Sequence, residues 1–71
     1  MSKEIVAPMP GTIINILVNV GDEILEYQEV LILEAMKMEN SLEAPVSGKV
    51  TSIQFSNGDT VTKDAVLLII E

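Results

Sequence analysis

The chain has 71 residues, 48% of them hydrophobic, and carries 4 basic against 11 acidic side chains for a net charge of −7. That length holds one domain, spanning residues 1–71, and the composition is that of a folded domain and not of a disordered tail. Cysteine and histidine are absent and every basic residue is a lysine, which excludes thiol nucleophiles, imidazole acid–base chemistry, Cys/His zinc sites and guanidinium clamps together. The serines have no histidine base to activate them, so a self-contained hydrolase is not expected. An acidic chain also cannot neutralise a run of nucleic-acid phosphates.

The opening Met-Ser-Lys-Glu runs straight into an apolar/polar alternation, without the apolar stretch of a secretory signal. The longest apolar run, residues 65–70, is far shorter than the roughly 20 residues of a membrane-spanning helix. The expectation is a soluble protein with no membrane insertion, cytoplasmic, or in the mitochondrial matrix if the chain is eukaryotic.

Val, Ile and Thr are abundant and short runs are broken by Pro and Gly, the pattern of strands. No segment between these breakers sustains helical periodicity. In chain order, strands are expected near residues 4–7, 12–18, 23–25 and 30–34, then 41–44, 49–55, 60–62 and 66–71. Val20-Gly21-Asp22 and Asn57-Gly58 mark turns at matched places.

Those places match because the sequence repeats. Shifted by 37, residues 7–34 fall on residues 44–71 without a gap. Ala7-Pro8 meets Ala44-Pro45, Gly11 meets Gly48, Ile16 meets Ile53, and Gly21-Asp22 meets Gly58-Asp59. Leu31-Ile32 meets Leu68-Ile69, and Glu34 meets Glu71. Two copies are too few for a solenoid and imply one small globule with a pseudo-two-fold axis. Ile13 and Ile16 differ in strand parity, as do Val50 and Ile53, so each pair needs a β-bulge or kink if both members face inward. Ile16, Val18, Ile53 and Phe55 are then expected at the centre of the core, completed by Ile24, Val30, Ile32, Leu42, Val61, Leu67 and Ile69. With one Phe and one Tyr, packing rests on aliphatics and the barrel should be thin and flattened.

The repeat leaves out Ala35-Met36-Lys37-Met38-Glu39-Asn40. The partner of Lys37 at the same offset would fall beyond either chain end, so the two-fold sets this segment opposite the termini. Apolar strand residues on both sides imply a tight hairpin with Met36-Lys37 near its apex. Such hairpins prefer Asn-Gly or Asp-Gly, because the central residues take positive φ. A solvated turn lysine and core-filling methionines are the plain structural readings. Neither explains why the unrepeated segment centres on Met-Lys-Met, and a local rule broken without structural gain marks functional sites.

Glu34-Ala35-Met36-Lys37-Met38-Glu39-Asn40 resembles the attachment motif of the biotinyl/lipoyl domain family, and Ala7-Pro8-Met9-Pro10-Gly11 resembles that family's opening signature. The resemblance runs from about Ile5 to Glu71. With the repeat, it implies an all-β barrel-sandwich hybrid: two four-stranded antiparallel sheets related by a pseudo-two-fold axis. It also implies a non-catalytic carrier with covalent biotin on Lys37, and with Met36, Met38, Ala35 and Glu34 forming the turn and the surface a biotin ligase recognises. The partners implied are that ligase and the biotin carboxylase and carboxyltransferase or decarboxylase components of a biotin-dependent enzyme. Lipoyl domains resemble this fold but usually place Asp before and Ala after the lysine, so a lipoyl carrier of 2-oxo acid dehydrogenase type is the alternative. An unmodified β-barrel interaction module is a third reading. The gapless repeat leaves no room for the inserted thumb of multisubunit bacterial acetyl-CoA carboxylase carriers. That points toward pyruvate, propionyl-CoA or methylcrotonyl-CoA carboxylases, or toward decarboxylases and transcarboxylases. One departure stands out: the family often has Gly where this chain has Tyr27 and Asp64. A positive φ is therefore expected at Tyr27 or an immediate neighbour.

Overall fold

The computed structural model describes residues 2–71, and among them the β-branched runs form eight strands and no helix. In chain order these are β1 (Lys3–Val6), β2 (Gly11–Ile16), β3 (Glu23–Ile24), β4 (Glu29–Ala35), β5 (Met38–Glu43), β6 (Gly48–Ile53), β7 (Thr60–Val61) and β8 (Val66–Ile70). Each expected strand is present, with its ends moved by up to three residues. Two four-stranded sheets result, ordered β1-β8-β6-β3 and β5-β4-β2-β7, and every paired contact is antiparallel. A shift of 37 residues carries each strand of one sheet onto its counterpart in the other, so the sequence repeat is the symmetry of the fold. The Cα body measures 32 × 17 × 17 Å.

Matched residues make matched bonds. The Gly21 N–H donates to the carbonyl of Val50 at 2.8 Å, and the Gly58 N–H to that of Ile13 at 2.7 Å. The Asp22 carboxylate accepts from the Asn19 N–H and the Asp59 carboxylate from the Ser56 N–H, both at 2.8 Å. The Gly-Asp pairs are thereby explained. Glycine takes the left-handed backbone of the turn, at φ 98° and 90°, and the aspartate closes the turn with its side chain.

The expected bulges exist. Ile14 is unmatched where β2 pairs with β4, and Thr51 is unmatched where β6 pairs with β8. Ile13 and Val50 are buried, while Ile16 and Ile53 pack half-buried against the core. A second pair of bulges corrects the expected centre of the core. Val30 has no partner across β4–β5, and Leu67 has none across β1–β8. One extra residue reverses strand parity, so Val30 and Leu31 both point inward, as do Leu67 and Leu68. Leu33 and Ile70 continue that inner row, and Ile32 and Ile69 are only half-buried. Leu31, Leu33, Leu68 and Ile70 therefore hold the centre assigned to Ile16, Ile53 and Phe55, which lie at its margin with Leu42. Val18, Ile24 and Val61 are buried as expected.

Candidate functional site

β4 and β5 are joined through Met36-Lys37, with Ala35 paired to Met38 directly below. This is a two-residue hairpin, and both central residues are left-handed, Met36 at φ 56° and Lys37 at φ 64°. Such a backbone follows the right-handed twist of the strands but disfavours side chains other than those of Gly, Asn and Asp. Met36 is 88% and Met38 66% exposed, and Lys37 is exposed between them. The core-filling reading of the methionines therefore fails: neither contributes to the interior.

The turn is anchored from below. Ala35 is buried, whereas Glu34 and Glu39 are exposed and lie directly opposite each other across the ladder. The Asn40 side-chain amide donates to the carbonyl of Met38 at 3.3 Å, tying the second leg of the hairpin beside the apex. Sequence reasoning missed this contact; Asn three residues after an apex lysine is its only trace there. The opening signature comes to the same end of the molecule. Gly11, at the start of β2, lies against Glu34 and Ala35, and Met9 packs half-buried on the core. β1 and β8 come together instead at the place matched to this turn, with Lys3 paired to Ile70. A primary amine at an exposed, anchored apex fits covalent attachment of an acyl cofactor.

The sequence matches the family described as "Biotin-requiring enzyme", the biotinyl/lipoyl attachment domain, over residues 3–70. The chain belongs to this family. It is 53% identical over 64 residues to a biotin carboxyl carrier protein of Streptococcus mutans, an overlap of 90% of this chain and 49% of that protein. Over 65 residues it is 43% identical to the mitochondrial propionyl-CoA carboxylase alpha chain of Sus scrofa, covering 92% of this chain and 9% of that one. The crystal structure of the Kluyveromyces lactis urea carboxylase superposes with a TM-score of 0.93 at 31% identity, over 100% of this chain and 6% of that one. The chain thus spans about half the length of the first relative and less than a tenth of the other two. It is a biotin carrier domain with biotin as its covalent cofactor. None of the three relatives is named as a lipoyl protein, so the lipoyl alternative has less support. Tyr27, at φ 71°, and Asp64, at φ 68°, hold the left-handed positions where this biotinyl family often has glycine.

Proposed function

We propose that Lys37 is the residue that carries biotin, and that this biotinyl domain moves carboxylate between the biotin carboxylase and carboxyltransferase or decarboxylase sites of a larger biotin-dependent enzyme. One observation carries the reading. The stretch between the two copies of the repeat holds an exposed hairpin whose two left-handed residues include the lysine, flanked by two exposed methionines. A free lysine ammonium is almost wholly protonated at neutral pH and is a poor nucleophile. A biotin ligase supplies the activated acyl group and the base. Lys37 supplies the amine, which becomes an amide and loses its charge. Met36 and Met38 offer apolar surface on either side for the ligase to grip. When bound, biotin supplies the ureido ring that takes up and releases carboxylate. The domain holds that ring on a long arm and raises its effective concentration at both sites. The relatives among carboxylases support a parent of the propionyl-CoA, methylcrotonyl-CoA or pyruvate carboxylase kind.

The experiment is intact-mass measurement after incubation with biotin ligase, ATP and biotin. The wild type should gain one biotin and Lys37→Arg none, because guanidinium stays protonated and cannot be the acceptor. The variant should keep its stability within about 0.5 kcal/mol, as exposed substitutions do. An adduct on Lys37→Arg would assign the biotin to Lys3, Lys49 or Lys63 instead. Probing the protein from its native host with streptavidin and with an anti-lipoyl antibody separates the biotin reading from the lipoyl one.

A further inference from the structure

Gly11 and Gly48 are matched by the repeat, and neither has a positive φ, so conformational freedom does not account for them. Close approach does. A Cβ built on Gly11 would collide with the carbonyl oxygen of Glu34 and stand 3.3 Å from the Cβ of Ala35. A Cβ on Gly48 would lie 2.6 Å from Cγ2 of Ile70 and 2.8 Å from the carbonyl oxygen of Glu71. Each glycine thus lets the first residue of one strand sit against the last residues of another, β2 on β4 and β6 on β8. The packing is alike in both copies, but its surroundings differ: the end of β4 leads into Met36-Lys37, and the end of β8 leads to Glu71, whose N–H donates to the carbonyl of Lys49.

We propose that Gly11 is a positioning residue for the modification of Lys37. Its bare Cα lets the end of β4 close onto β2, and that contact sets where the left-handed turn presents the amine. The inference rests on Lys37 being the attachment residue. A colliding backbone carbonyl cannot swing aside as the far end of a flexible side chain can, so a Cβ at Gly11 must move the strand end itself. The displaced residues, Glu34 and Ala35, stand immediately before Met36. Ala35 closes the turn through its pairing with Met38 and is buried, so it cannot absorb the shift by swinging into solvent. A two-residue turn with both centres left-handed has little slack. The ligase must place the Lys37 amine against an activated acyl carbon, where a misplacement of about 1 Å can slow a reaction roughly a hundredfold.

The fold supplies its own control. Gly11→Ala and Gly48→Ala both introduce crowding at matched places, the first mainly against a backbone carbonyl and the second first against the Ile70 side chain, and only the first lies under the turn. Both should lower the melting temperature. With ligase, ATP and biotin in excess, well below both melting temperatures, kcat/KM for biotinylation of Gly11→Ala should fall by about tenfold or more, and that of Gly48→Ala should stay within about twofold of wild type. A merely structural role would slow both variants in step with their loss of stability. Should Gly11→Ala not fold, Ala35→Val crowds the same contact from the β4 side and should give the same slowing. Wild-type rates in a folded Gly11→Ala or Ala35→Val, or equal slowing in Gly48→Ala, would overturn the proposal. A wild-type chain that takes no biotin at Lys37 would overturn the attachment reading and this inference together. Equal modification of wild type and Gly11→Ala would overturn this inference alone.

Discussion

The first copy of the repeat runs from β4 into β5 through the exposed Met36-Lys37 turn, whereas the matched end of β8 lies beside β1, with Glu71 hydrogen-bonded to Lys49. The copies differ elsewhere as well. Leu17, Val20, Leu25 and Tyr27 are exposed apolar side chains, and Gln54, Asn57, Thr62 and Asp64 stand at their matched positions. Beneath these differences the backbones agree, down to paired turn bonds and two matched pairs of bulges. Features present in both copies are those the fold requires. Features present in one copy are available for something else, and the lysine turn is the largest of them.

The core offers the strongest test of that division. Leu31 and Leu68 are matched, and both are fully buried at 0% exposure. Leu31→Ala and Leu68→Ala should each cost about 2–5 kcal/mol, the range for truncating a leucine in a packed core. If the copies are energetically equivalent, urea unfolding should give two losses within about 1 kcal/mol of each other, since the spread at fixed chemistry reflects how far each site collapses. A clearly larger gap would mean that one half of the symmetric core carries more of the stability than the other.

The same leucines show where the sequence could be read and where it could not. The two-sheet arrangement is what the family resemblance implied, and the hairpin at Met36-Lys37 follows from the apolar strand residues on both sides of it. Strand number and turn places come from a gapless repeat broken by Gly and Pro. So do the bulges at Ile14 and Thr51, because Ile13 and Ile16 cannot otherwise share a face. The bulges at Val30 and Leu67 left no such mark. Val30-Leu31-Ile32-Leu33 is apolar at every position, so shifting parity by one residue changes which side chains are innermost without changing the pattern. The proposed attachment at Lys37 was legible from the family resemblance, and Met-Lys-Met drew notice because it is a poor turn on local grounds. The role of Gly11 was not, because a glycine needed for close approach to another strand looks in sequence like one needed for a turn.

A smaller effect is expected at the turn itself. Left-handed backbone costs roughly 1–2 kcal/mol for an ordinary L-residue, and both Met36 and Lys37 adopt it while largely exposed. Replacing them by Met36→Asn and Lys37→Gly installs the preferred pair for this turn. The greater freedom of glycine in the unfolded chain offsets part of the relief, so the gain should be about 1 kcal/mol by thermal or urea unfolding. The double variant should also take no biotin, separating stability from function at one site. If stability falls instead, Met36 and Lys37 make contacts that outweigh their backbone strain, and the turn is structural after all.

The smallest effect should separate the two left-handed residues that fill matched glycine positions. Tyr27 and Asp64 share nearly the same φ, 71° and 68°, and matched bonds: the Tyr27 N–H donates to the carbonyl of Ala44 and the Asp64 N–H to that of Ala7, both at 2.8 Å. Aspartate tolerates this region and a bulky aromatic residue rarely does. Tyr27 is 70% exposed, so little ring packing is lost on truncation. Tyr27→Gly should therefore stabilise by up to about 1 kcal/mol, and Asp64→Gly by less, the unfolded-chain entropy of the new glycine being the same in both. Thermal unfolding of the two variants side by side gives the difference. A Tyr27→Gly variant less stable than Asp64→Gly would mean that the exposed ring contributes more than the strain of its backbone removes, and that this turn of the first copy is held by its side chain.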